Sequence, residues 1–396
     1  MRIVLVTNIP PPYRIPIFNR LARWPGVDFH AIFCVQREPN RLWDLPESTF
    51  QQHFLRESFL TYRGRYIHHN PDVIPLLLQL NADVIITDGF NPTHLYAYVV
   101  ARLKNCAHVA MTDGTHSSER SLSLVHRLVR RLVYRGSRSF IAASEDGKRL
   151  YHSYGIADSR CFFSWLCVEN ERFTPKPDVN RPFDFMYCSR IEASKGPLFA
   201  LEVACETAKR LRRRTSLLFV GSGSLDAILR EQANLNAHWV DVRFEGFASQ
   251  QALPSLYQSA KIFLFPSHAD VWGVVANEAC ASGLPVLVSP YAGVAGELVV
   301  DGQNGYVREL NATAWADCAK GLLMNAAQWQ EFSQRSLERV RRYNFESAAA
   351  GIVDACRCAL GYEAHAERSG TADTSDGLGK PGDPAAAAAA TAARNR

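Results

Sequence analysis

The chain has 396 residues, 47% of them hydrophobic and 21% charged, with a formal net charge of +5 at pH 7. That length suffices to bury two cores, and the small positive balance excludes the strongly basic surface of a dedicated nucleic-acid binder. No uninterrupted apolar run approaches the roughly 20 residues needed to cross a bilayer, so any membrane contact is expected to be peripheral.

The chain opens with Met1-Arg2-Ile3-Val4-Leu5-Val6, which runs straight into a strand-like segment rather than a signal peptide. Its 10 cysteines are scattered without CxxC elements, a usage that fits reduced thiols and a cytoplasmic setting. Cys356 and Cys358 are close in sequence but fall on different faces of a predicted helix, so no metal site is expected there.

Short runs rich in β-branched residues recur in the first half, at Ile3–Val6, Phe29–Cys34, Val84–Thr87, His108–Met111 and Phe140–Ala143, with helical stretches between them. This is the βαβ pattern of a parallel sheet. A second series follows at Phe183–Tyr187, Leu217–Val220, Val242–Phe244, Ile262–Phe265 and Pro285–Val288, after the Pro-containing segment Phe173-Thr174-Pro175-Lys176-Pro177. The boundary is therefore expected near residues 172–181, with an α/β domain over 1–175 and a second over 176–345. Trp315–Leu360 reads as helical, interrupted around Tyr343-Asn344-Phe345. The tail, 363–396, offers almost no bulky apolar residues and reads as disordered.

The chemistry concentrates in Phe265-Pro266-Ser267-His268-Ala269-Asp270-Val271-Trp272-Gly273-Val274-Val275-Ala276-Asn277-Glu278. A strand ends, a loop carries an acid, a glycine opens a helix, and a second acid follows one turn in. The free N–H groups and positive dipole end at such a helix start suit a diphosphate, and a glycine permits close approach. Asp270 would reach toward a transferred sugar, and Glu278 would accept hydrogen bonds from a ribose diol. On spacing alone, a helix-capping Asp270 and a buried, base-paired Glu278 are equally compatible with this segment.

A second motif, Cys188-Ser189-Arg190-Ile191-Glu192-Ala193-Ser194-Lys195-Gly196, leaves the carboxyl end of the second domain's first strand. In an open parallel sheet ligands bind at that edge, so Arg190 and Lys195 are candidates to converge with Gly273, Val274 and Val275 on the same phosphates; ordinary solvated cations are the other reading. A third element, Leu217-Leu218-Phe219-Val220-Gly221-Ser222-Gly223, is a strand entering a Gly-x-Gly turn. Asp226 stands where a dinucleotide fingerprint needs its third glycine, which disfavours an NAD-dependent dehydrogenase.

Together these segments resemble the retaining glycosyltransferase family 4, a GT-B family, most strongly over residues 183–307. Asp270 through Glu278 resembles that family's Glu-x7-Glu motif with aspartate in the first position, and Arg190 with Lys195 resembles its phosphate-binding pair. Gly221, Gly223, Phe244-Glu245-Gly246-Phe247 and Gly302-Gln303-Asn304-Gly305-Tyr306 fall in the family's order. The resemblance implies two Rossmann-like domains facing across a cleft, with the helix over 346–362 crossing back to the first domain. It implies transfer of a sugar from a nucleoside-diphosphate sugar, without a metal or other cofactor and with retention of configuration. The acceptor would be a glycan or a lipid-linked molecule, in cell-envelope polysaccharide or lipopolysaccharide synthesis. Catalysis would rest on Arg190, Lys195, Asp270 and Glu278, and donor binding on Gly221, Gly223, Phe247, Gly273, Val274 and Val275. A sugar-nucleotide epimerase or hydrolase of the same fold, or a silent nucleotide-sugar binder, are the alternatives.

The first half departs from the family pattern. Asn8-Ile9-Pro10-Pro11-Pro12-Tyr13-Arg14 replaces a glycine pair in the acceptor-side loop, and the strand at His108–Met111 runs into Thr112-Asp113-Gly114-Thr115-His116. Tyr13, Arg14, Asp113 and His116 are the acceptor-side candidates; a turn-forming Asp-Gly and a surface histidine are the bland readings of the last two. Arg127, Arg130, Arg131, Arg135 and Arg138 form a basic cluster interleaved with apolar residues, which suits either a solvated helix face or anionic lipid head groups.

Overall fold

The structure, a computed structural model, describes residues 1–39, 45–62, 65–119, 122–176 and 179–362. The tail over 363–396 lies outside the described residues, as do Pro177 and Asp178 at the expected boundary.

In the first half, β1 (Arg2–Thr7), β2 (Asp28–Phe33) and β3 (Gln51–Phe54) are followed by an antiparallel pair, β4 (Phe59–Tyr62) with β5 (Arg65–His68). Then come β6 (Val84–Thr87), β7 (Ala107–Thr112), β8 (Ser139–Ala142) and β9 (Cys161–Phe163). Apart from the β4–β5 pair they form one sheet in the order β3-β2-β1-β6-β7-β8-β9, parallel throughout. The second half supplies β10 (Phe183–Cys188), β11 (Thr215–Val220), β12 (Val240–Gly246), β13 (Ala260–Phe265), β14 (Val286–Val288) and β15 (Gly305–Val307). They too pair in parallel, in the order β12-β11-β10-β13-β14-β15.

Burial explains why the central strands read as continuous apolar runs. β6 and β7 are buried at every residue, as expected when helices cover both faces of a sheet. β12, at an edge, alternates buried or half-buried with exposed positions. In each sheet the strand order reverses beside its first strand, between β1 and β6 and between β10 and β13. Such a reversal opens a crevice at the carboxyl ends of the two strands.

The chain crosses between the sheets twice, through the segment after β9 and through Tyr343. The Tyr343 ring lies between Trp165 at 5.2 Å and Trp272 at 5.4 Å, and all three are buried. Three helices, Ala312–Met324, Ala326–Val340 and Phe345–Leu360, fill the end of the described chain, with breaks at Asn325 as well as near Tyr343. The last of them returns to the first sheet: Ser139 Oγ donates to the Ala355 carbonyl at 2.7 Å and Arg138 Nη1 to that of Ala359 at 3.3 Å.

Candidate active site

The loops after β10 and β13 meet at the crevice of the second sheet. Tyr187, buried on β10, sets its hydroxyl 3.0 Å from the Arg190 carbonyl and 3.2 Å from that of Lys195, gathering the first loop around one side chain. The His268 amide then donates to the Ser194 carbonyl at 2.9 Å, joining the two loops. Across this junction Lys195 Nζ lies 2.7 Å from Asp270 Oδ2, with the two side chains only 15% and 20% exposed. The other oxygen of Asp270 accepts the Trp272 amide at 3.3 Å.

Gly273 caps the helix Val274–Ala281 with φ +107°, in the region that favours glycine. A Cβ here would stand 2.3 Å from the Phe265 ring, so the helix start sits directly on the end of β13. Val274 and Val275, half-buried, form its first turn, where backbone amides have no partner within the helix.

Glu278 lies deeper than a hydroxyl-binding role alone requires. It is 6% exposed, and its Oε2 accepts the buried Tyr257 hydroxyl at 2.7 Å. Burial pushes its pKa up to about 7, against the opposing pull of the Tyr257 hydrogen bond and of Arg172. Neither Tyr257 nor Tyr187 carries a local sequence signal. Each is an ordinary core aromatic until its hydroxyl partner is seen.

Arg190 diverges from Lys195. Its side chain is 67% exposed and pairs with Glu192 at 3.0 Å. Gly221 and Gly223 turn their bare sides to this loop: a Cβ on Gly221 would stand 2.0 Å from the Ser189 carbonyl oxygen, and one on Gly223 2.5 Å from that of Ile191. These two glycines therefore seat the Arg190 loop. Phe247, just past β12, leaves its ring 76% exposed at the same sheet edge, where the Gly221 amide meets the Gly246 carbonyl at 2.7 Å.

The first domain faces this edge across a cavity of 430 Å³ lined by Thr115, Ser118, Asp146 and Arg149 on one side and His268–Val271 and Pro290–Gly293 on the other. Arg14 and Asp113, 99 residues apart in sequence, meet within the first domain: Arg14 is 3% exposed, donates to Asp113 at 2.5 Å, and reaches the carbonyl and hydroxyl of Ser164 at 3.0 and 2.9 Å. Burial opposes the Arg14 charge, but Asp113 and Tyr13 outweigh it and raise its pKa. His116, an acceptor-side candidate, is not among the residues that line this cavity. It lines a separate cavity with Glu119 and the helix Leu124–Gly136, while its neighbours Thr115 and Ser118 face the cleft. The reason is local, since the four-residue helix His116–Glu119 presents its sides to both cavities.

Two parallel α/β sheets with apposed carboxyl edges define the GT-B fold. The solved structure of HepE from Anabaena in complex with UDP superposes with a TM-score of 0.70 over 89% of this chain and 99% of that one, at 14% identity. Residues 169–339 match the family model for group 1 glycosyl transferases. Among curated proteins, D-inositol 3-phosphate glycosyltransferase from Frankia alni is 28% identical over 284 residues, covering 67% of this chain and 68% of that protein. D-inositol 3-phosphate glycosyltransferase 2 from Catenulispora acidiphila is 26% identical over 275 residues, 65% of this chain and 63% of the relative's length.

Proposed function

We propose that the chain is a glycosyltransferase that takes a sugar from a nucleoside-diphosphate sugar bound at the second sheet and passes it to an acceptor held by the first domain. The observation that carries this reading is the Lys195–Asp270 pair, a cation and an anion held 2.7 Å apart at the crevice, beside the Gly273 helix start. HepE, solved with UDP and glucose, is a structural neighbour that supports the choice of donor class.

In this mechanism an incoming diphosphate takes Lys195 from Asp270. Lys195, Arg190 and the amides of Val274 and Val275 then face the phosphate oxygens, and Asp270 turns to accept hydroxyl hydrogens of the sugar. Phe247 offers an aromatic face to the base, and Glu278 offers its remaining oxygen to the ribose. The bond from the anomeric carbon to the diphosphate breaks as the acceptor oxygen bonds to that carbon from the same face, and the acceptor proton passes to the departing phosphate oxygen. Configuration is retained, and the leaving charge is stabilised by fixed donors without a metal. We assign the acceptor to the glycan and lipid-linked class of the cell envelope, on the resemblance described above.

The test is a thermal-shift panel against nucleoside diphosphates and their sugars, because a ligand selective for the native state raises its stability. A shift with one nucleotide that disappears in Lys195→Ala supports the reading. A protein that no nucleotide stabilises, or a product with inverted configuration, overturns it or its stereochemical part.

A further inference from the structure

Helix Leu124–Gly136 has one face that the fold uses and one that it does not. Val133 and Tyr134 are buried, and Arg130 turns inward, 2.6 Å from Glu119 and with its guanidinium 4.2 Å over the Phe90 ring. The outer side carries Leu124, Val125, Leu128 and Leu132, exposed by 82%, 70%, 68% and 63%. No other described helix carries more than two exposed large hydrophobic residues. Single exposed apolar residues are ordinary, but a contiguous stripe marks an interaction surface.

At 3.6 residues per turn, Leu124, Leu128 and Leu132 fall in line with Val125 beside them, and Arg127, Arg131 and Arg135 run along the flank. The whole set fits within roughly 160° of the helix circumference. All three arginines are exposed, and the helix holds no acidic residue. We propose that this face docks on an anionic lipid bilayer, with the leucines entering the boundary between head groups and acyl chains and the arginines meeting lipid phosphates. A second copy of the chain is a poorer occupant, because a two-fold contact on this face would set its arginine row against itself.

The placement bears on the cleft. Leu124, Leu128, Arg127 and Arg131 line a cavity of 460 Å³ with His116 and Glu119, and the opposite side of that short helix, at Thr115 and Ser118, lines the cleft. Docking therefore sets the acceptor side of the cleft beside the lipid surface. That consequence rests on the transferase reading; docking itself does not.

The experiment is flotation of the full chain with vesicles of phosphatidylcholine alone and of phosphatidylcholine with phosphatidylglycerol. The wild type is expected to float with the anionic vesicles and to lose binding as salt is added. Leu124→Ser, Leu128→Ser and Leu132→Ser combined should weaken partitioning more than about tenfold, and Arg127→Gln, Arg131→Gln and Arg135→Gln combined by roughly fivefold per residue. Both variants change exposed side chains, so their melting temperatures and nucleotide thermal shifts should match the wild type. A retained nucleotide shift with lost flotation separates docking from the donor site. Should the leucine variant fail to fold, the arginine variant alone decides. Wild type that stays out of anionic vesicles at low salt, variants that float as well as wild type, or a dimer that the leucine variant dissolves would each overturn the proposal.

Discussion

Lys195 and Asp270 lie 75 residues apart in sequence, yet their charged groups meet at 2.7 Å where the strand order of the second sheet reverses. Each neutralises the other in a partly buried setting, and the two have opposite relations to an incoming diphosphate. Lys195→Ala is expected to lower kcat by roughly 100- to 1000-fold, the usual loss when a fixed donor to a developing anion is removed. Asp270→Asn frees Lys195 from its competitor. It should tighten binding of the bare nucleoside diphosphate roughly fivefold, in line with a partly exposed ion pair, while lowering transfer of the sugar. Isothermal titration of both variants checks the opposite signs; weaker nucleotide binding in Asp270→Asn would refute the competition.

Gly221 reports on the Arg190 loop. With φ +129° and a built Cβ only 2.0 Å from the Ser189 carbonyl oxygen, alanine here must displace backbone rather than a flexible side chain. Gly221→Ala is expected to destabilise the fold by about 1–3 kcal/mol and to raise KM for the donor. Denaturant unfolding and donor kinetics measured together check this. A changed stability with an unchanged donor KM would show that the loop position is irrelevant to binding.

The site was legible where chemistry follows directly from a strand end. Arg190, Lys195, Asp270 and Gly273 sit on loops after β10 and β13, and the alternation of strands with helices forces those loops to one edge. What the sequence hides is pairing at a distance. Nothing local links Arg14 to Asp113, or Glu278 to Tyr257, since each partner arrives by packing. Strands were missed for related reasons. β9 and β15 have three residues each, too short for a strand periodicity to show, and β3 is an edge strand of mostly exposed polar residues without an apolar run.

Glu278 predicts a pH dependence of stability. Its folded pKa is raised by burial to about 7 from an ordinary value of 4.5, so between those values the folded state holds a proton that the unfolded state has released. Stability from this group is full below about pH 4.5 and is lost as pH rises through about 7. Glu297, raised to about 7 by burial while its carboxylate accepts the Glu145 amide at 2.9 Å, acts in the same window. Glu278→Gln keeps an acceptor for Tyr257 without the ionisation. Near pH 8 it should be more stable than wild type by up to roughly 3 kcal/mol, and near pH 4.5 it should be equal. Urea unfolding across that range checks the sign; a wild-type curve that rises toward pH 8 with no difference from the variant would contradict it.

The Arg14–Asp113 pair predicts which part of the first domain is structural. Arg14 is buried, and its acceptors are Asp113 on the loop after β7 and Ser164 just past β9, so one side chain ties three segments at the carboxyl edge of the first sheet. Asp113→Asn takes the negative charge away from the buried guanidinium and leaves it only neutral acceptors. Because the Asp113 side chain is 37% exposed, Asp113→Asn is expected to destabilise the fold by about 3 kcal/mol, the low end for breaking a buried pair by losing one partner. Arg14→Met removes the charge with the fork and should be tolerated better than Asp113→Asn. If instead both variants keep wild-type melting temperatures and raise only the KM for acceptor, the pair belongs to substrate binding. Equal melting and acceptor kinetics in the double variant and in Arg14→Met would show that Asp113 acts through Arg14.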